Sequence, residues 1–117
     1  MNLFLSTYLN TIDKKGRISI PAAYRNLLAA SEINCVIAYP SIKNKAIEFC
    51  SYQRISELGK IIQTLDPYSQ ERDAFETVIL SQAVQLTIDG EGRIVLPKTL
   101  CEYTILQDQG LFVGKGL

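Results

Sequence analysis

A chain of 117 residues with 47% hydrophobic and 21% charged side chains has the size and composition of one compact globular domain that can bury a real core. Twelve basic and twelve acidic side chains give a formal net charge of zero, which excludes a globally basic nucleic-acid binder; any such role must come from local patches multiplied by oligomerisation. Histidine is absent, so the commonest general base, partner of Ser and Cys nucleophiles and nitrogen ligand for metals are all lacking, which argues against most enzyme classes.

The opening MNLFLSTYLN has neither a basic region nor a long apolar run, so no signal peptide is expected. No segment reaches the roughly 18 apolar residues of a membrane span, and the expected location is cytoplasmic. Thr11-Ile12-Asp13 and Arg17-Ile18-Ser19-Ile20 flank a turn ending in Gly16, which predicts a β-hairpin with that glycine left-handed and Asp13 accepting backbone N–H bonds. Pro21 suits the first turn of a helix over PAAYRNLLAA. Strands are predicted at 33–39 and 46–49, with SIKNK as the turn between them.

From Tyr52 to Leu65 the residues Ile55, Leu58, Ile61, Ile62 and Leu65 fall on one face of a helix. Asp66-Pro67 reads as a break, then an N-cap and a proline at the new helix start. SQERDAFETVILSQA continues helically, with Phe75, Val78, Ile79 and Ala83 inward. A second pair of strands and a helix from Pro97 follow, and the chain ends at GLFVGKGL. Cys35, Cys50 and Cys101 fit neither a disulfide framework nor a zinc site, so buried free thiols are expected, with no metal and no cofactor.

The chain repeats itself. IDKKGRISIP at 12–21 aligns without gaps to IDGEGRIVLP at 88–97, an offset of 76, with six of ten positions identical. The same offset lays Cys35-Val36-Ile37 on Leu111-Phe112-Val113. The expected organisation is a first unit at 1–51, a helical linker at 52–83 and a second unit at 84–117.

Two Asp-x-x-Gly-Arg hairpins, each followed by proline and separated by helices in a short histidine-free chain, resemble the MraZ family of bacterial transcriptional regulators, related to the AbrB-type swapped-hairpin DNA-binding fold. The resemblance implies an α+β fold: two tandem AbrB-like hairpin/helix units around a pseudo-two-fold, β-barrel-like core with connecting helices. It also implies a nucleoid-associated homo-oligomer, a ring, on double-stranded DNA, reading short direct repeats in the promoter of the cell-division and cell-wall gene cluster. No membrane and no small-molecule substrate are expected.

Carried over by position, the resemblance implicates Asp13 and Arg17 in the first copy, and Asp89 and Arg93 in the second. Arginine presents a planar fork that satisfies guanine O6 and N7 together, whereas lysine is a point charge suited to phosphate. Arg17 and Arg93 are therefore candidate base readers, and Lys14 and Lys15 candidate phosphate contacts. Asp13 and Asp89 orient the turn or pair with an arginine, and Gly16, Pro21, Gly92 and Pro97 are scaffold residues. The competing reading is an Asp–Arg ion pair that fixes a loop and meets no ligand. Charged side chains sum to +2 over 13–17 and to −1 over 89–93, so the hairpins are not electrostatic equals. Core or interface packing is expected of the tyrosines. Lys43 and Lys45 form either a second phosphate-facing turn or a solvated loop.

Two departures from the family pattern stand out. Cys101 occupies a place where relatives carry arginine, while Arg25 keeps it in the first copy. The second copy has nothing matching KAIEFCS, which predicts a C-terminally shortened member with an exposed sheet edge. A protein-interaction module that keeps the fold without binding DNA, or an AbrB-like antitoxin-type regulator, are the alternative functions.

Overall fold

The computed structural model describes residues 3–28, 34–41, 45–104 and 109–114. At its centre two three-residue strands, β2 (Arg17–Ser19) from the first copy and β6 (Arg93–Val95) from the second, pair antiparallel. In each strand only the middle residue is buried, because alternate side chains point to opposite faces. Ile18 faces Ile94 across the pair, at 3% and 1% exposure.

The other strands exchange partners in the same way. β1 (Thr7–Thr11) pairs with β7 (Gln109–Val113), and β3 (Cys35–Pro40) pairs with β5 (Val84–Thr87) as well as with β4 (Ile47–Cys50). Among the described residues the strands thus form three separate antiparallel sheets, with no closed barrel. The hairpin expected at Thr11–Ile20 is present at its turn, where an Ile12–Ile18 bridge and the Asp13–Arg17 backbone bond join the two arms, but beyond it the arms pair across to the other copy instead of continuing with each other. Strands this short gain their burial from that exchange. The main core contains Ile12 with Ile88, Ile18 with Ile94, and Ile20 with Leu96, each pair related by the 76-residue offset.

Pro21 and Pro97 open the equivalent helices α1 (Ala22–Leu28) and, after the linker helices, α4 (Lys98–Thr104). The Pro21 carbonyl accepts from the N–H groups of Tyr24 and Arg25, and the Pro97 carbonyl from those of Leu100 and Cys101. Beyond these helices the offset changes. Cys35 pairs with Thr87 and Gln109 with Thr11, so Ile37 is equivalent to Leu111 at an offset of 74, and the expected match of Cys35 to Leu111 is corrected by two residues. The α1–β3 connection is two residues longer than the α4–β7 connection.

In the linker, α2 (Tyr52–Ile62) starts at Ser51, whose hydroxyl oxygen accepts the Arg54 N–H at 3.0 Å. Ile55 reaches a second cluster formed by Ile37, Tyr39 and Cys50, while Ile61, expected on the same apolar face, is 56% exposed. Asp66-Pro67 does not start the next helix. It makes a β-turn in which the Asp66 carbonyl accepts the Ser69 N–H, and Ser69 then caps α3 (Gln70–Ala74). The α-helix passes into a π-helical stretch, Phe75–Leu80, which breaks the expected 3.6-residue period. Phe75 is buried, and Ile79 and Ala83 pack on the second cluster. The Val78 side chain, residues 42–44 of the SIKNK turn and Ile33 lie outside the described residues.

Tyr24 is buried among Phe4, Tyr8 and Phe112 in edge-on contacts, and its hydroxyl donates to the Ser6 carbonyl at 2.6 Å. Cys35 and Cys50 are buried free thiols and Cys101 is half-buried. Burial pushes the Cys50 thiol up to about 11. Among the described residues no helix is long and apolar enough to cross a membrane.

Candidate nucleic-acid interface

Each Asp-x-x-Gly-Arg turn is closed by the same bonds. The Asp13 N–H donates to the Arg17 carbonyl at 2.9 Å and the Gly16 N–H to the Asp13 carbonyl at 3.0 Å; Asp89, Gly92 and Arg93 repeat both distances. Closing so tight a loop requires a left-handed residue, and Gly16 and Gly92 supply it at φ +80° and +78°. Asp13 Oδ1 accepts the N–H groups of Lys15 and Arg17, both at 2.9 Å, while Oδ2 accepts Arg17 Nε–H at 2.7 Å. Asp89 does the same for Glu91 and Arg93, with Arg93 Nε at 3.2 Å.

These bonds favour the ionised carboxylates. Both acids are held below the ordinary value of 3.8, Asp13 chiefly by the Arg17 backbone N–H and Asp89 chiefly by the Arg93 backbone N–H. The carboxylates also hold the arginines. Aspartate engages each guanidinium by its Nε edge alone, which ties the side chain to its own turn while the terminal nitrogens lie outside that bond. Arg93 differs in that Glu91 Oε2 lies 3.3 Å from its Nη2.

The strand register then places the two arginines together. Arg17 stands opposite Val95 and Ser19 opposite Arg93, so all four side chains share the outer face of the β2–β6 ribbon, and Ile18 and Ile94 share the inner one. Val95 is 56% exposed and Ser19 is exposed, while both arginines are half-buried. Lys14 and Lys15 are exposed at the first turn. The ribbon is locked at both ends by Ile20 N–H donating to the Gly92 carbonyl and Leu96 N–H to the Gly16 carbonyl, both at 2.9 Å. Each turn is therefore anchored to the strand leaving the other.

Two residues gain a place in the site that spacing alone does not give them. Asn10 donates from its side-chain amide to the Ser19 carbonyl at 2.5 Å, tying β1 to the ribbon. Arg25, on α1 of the first copy, reaches the second copy's turn, where a Cβ added to Gly92 would lie 2.5 Å from Arg25 Cδ. The signal for Arg25 in the sequence is its mismatch with Cys101 at the same offset. Lys43 lies outside the described residues. Among the described residues no group of His, Cys, Asp and Glu side chains could hold a metal ion.

The chain is 56% identical over all 117 residues to the transcriptional regulator MraZ of Rickettsia typhi and to that of Rickettsia rickettsii, and 55% identical to that of Rickettsia africae, covering 78% of each. The family described as "MraZ protein, putative antitoxin-like" matches residues 3–42. Among solved structures, that of PHS018 from Pyrococcus horikoshii is 13% identical at a TM-score of 0.40, covering 97% of this chain and 96% of that one, too faint a likeness to bear on fold or function.

Proposed function

Since the chain belongs to the MraZ family of transcriptional regulators, we propose that it binds double-stranded DNA sequence-specifically through the outer face of the β2–β6 ribbon and the two turns beside it. The observation that carries this reading is the shared outward face of Arg17, Ser19 and Arg93 on a two-stranded ribbon whose inner face is core. A two-stranded ribbon fits the DNA major groove, where a fixed arginine fork meets guanine O6 and N7. Arg17 and Arg93 read bases in this account; Lys14 and Lys15 hold phosphates. Asp13 and Asp89 aim the forks, and Gly16, Gly92, Pro21 and Pro97 shape the turns and helix starts. No step of chemistry on the DNA is involved, and the family is one of regulators rather than enzymes.

Within the same reading, two units at 1–51 and 84–117, joined by the linker at 52–83, sit about a local two-fold axis near the Ile18–Ile94 pair. The protein works as a homo-oligomer, a ring, so that weak contacts add along direct repeats. Its target is the promoter of the cell-division and cell-wall gene cluster, and it acts at the nucleoid in the cytoplasm. Assembly is favoured by Leu9 and Leu111, which lie opposite each other in the β1–β7 register at 60% and 62% exposure.

The reading is tested by titrating fluorescent duplexes carrying G-containing direct repeats over a salt series, with light scattering at the same concentrations. Binding that weakens with salt, and a Lys14→Ala/Lys15→Ala double variant whose salt slope is shallower by about 1.8 for two phosphates, are expected. Salt-independent or absent binding by the parent chain rejects it.

A further inference from the structure

Three observations meet on Arg25. It belongs to the first copy, yet its side chain covers the second copy's turn: a Cβ on Gly92 would lie 2.5 Å from Arg25 Cδ and 2.7 Å from Cζ, and Gly92 is buried where its counterpart Gly16 is only half-buried. The Nε of Arg25 is buried and has no hydrogen-bond acceptor. Among the described residues no carboxylate forms an ion pair with its guanidinium, unlike those of Arg17, Arg72 and Arg93. Arg25 as a residue is only half-buried, so an anion arriving from solvent would meet its unpaired charge through the terminal nitrogens rather than through the covered Nε.

The location fits an acidic ligand at the edge of the ribbon, since Gly92 immediately precedes Arg93 on the outer face. Apart from Arg93, the second turn carries no cation: Gly90-Glu91 stands where the first turn has Lys14-Lys15. Its charged side chains sum to −1 over 89–93, against +2 over 13–17, and Cys101 stands where a matching arginine would flank the first turn. We infer that Arg25 is a phosphate-binding residue of the second turn, taking a DNA backbone phosphate beside Gly92 and giving that turn the cationic contact that Lys14 and Lys15 give the first. This inference rests on the DNA-binding reading above. α1 of one copy and the turn of the other then form a single half-site, so the two copies are interdependent in binding as well as in folding.

The test compares the full chain with Arg25→Gln, Arg25→Lys and Arg17→Ala on two duplexes of equal length, one with G-containing direct repeats and one scrambled, over a salt series. A phosphate contact carries no sequence information, so Arg25→Gln should weaken both duplexes alike, by roughly fivefold to tenfold, and make the salt slope shallower by about 0.9. Arg25→Lys should keep the slope, and Arg17→Ala should weaken the repeat duplex more than the scrambled one. Arg25→Met keeps the cover over Gly92 without the charge and makes the same test should the glutamine variant melt early. An unchanged slope in Arg25→Gln, while Arg17→Ala still loses affinity, overturns the inference and leaves the DNA reading standing. No binding by the parent chain overturns both. Inorganic phosphate at constant ionic strength should compete no better than chloride; competition that vanishes in Arg25→Gln would assign the site to free phosphate and overturn the duplex contact.

Discussion

At the Asp13 turn one carboxylate accepts two backbone N–H groups at 2.9 Å and an arginine Nε at 2.7 Å; at the Asp89 turn the same three bonds measure 2.9, 2.9 and 3.2 Å. The glycines that follow differ by two degrees in φ. What differs is the pair of residues between aspartate and glycine, Lys14-Lys15 against Gly90-Glu91, and with it the charge and the company of the arginine. Backbone shape depends on Asp, Gly and Arg, whose positions are shared. Charge depends on the two variable residues and on Arg25, which reaches the second turn from outside it. Shape and binding strength can therefore diverge independently within one repeat.

The equal part of the comparison should be broken by the largest effects. Ile18→Ala and Ile94→Ala each remove a side chain from the same core position, so each should cost about 2–5 kcal/mol and the two should agree within about 1 kcal/mol by chemical denaturation. A large disparity would mean that the two copies do not share one core. The unequal part shows in DNA affinity. Arg17→Ala should lose about 1–3 kcal/mol, roughly fivefold to 150-fold, in anisotropy titrations. Arg93→Ala should lose less, because Glu91 already competes for its guanidinium.

Glycine substitutions sharpen the contrast further. Both Gly16→Ala and Gly92→Ala force a side chain into a left-handed position, at about 1–2 kcal/mol. Gly92→Ala should melt lower than Gly16→Ala, since its new methyl meets Arg25, and the gap should narrow in an Arg25→Ala background. The smallest effect is in acid. With both aspartates below 3.8 in the folded chain, their contribution is complete above the unfolded carboxyl value of about 3.9 and is lost as pH falls through the folded values. Thermal melts below about pH 4 should therefore be less pH-dependent in Asp13→Asn and, to a similar degree, in Asp89→Asn.

Much of this was legible because it is local. The Asp-x-x-Gly-Arg spacing, the left-handed glycine and the proline at the helix start are short-range rules, and all three recur in the structure at both copies. Pairing across copies was not legible, because alternation along Arg17–Ser19 fixes which side chains face inward but not which strand lies opposite. The two-residue change of offset after α1 and α4 was hidden because the 76-residue offset lays Cys35-Val36-Ile37 on the apolar Leu111-Phe112-Val113, whereas the register makes Cys35 and Val36 equivalent to Gln109 and Gly110. Pro67 was placed in a helix start that Ser69 provides instead, since Asp-Pro suits a β-turn equally well. Arg25 needed coordinates, because its contact with Gly92 spans 67 positions of sequence.

The central claim is that the fixed arginine forks of the β2–β6 ribbon read guanine in the major groove. The most direct measurement replaces guanines of a direct repeat by 7-deazaguanine, which deletes the N7 acceptor and leaves base pairing intact, and compares the parent chain with Arg17→Ala. The account predicts that the replacement weakens the parent chain by fivefold or more and weakens Arg17→Ala little further. Equal losses in the two proteins, or none in the parent, would contradict it.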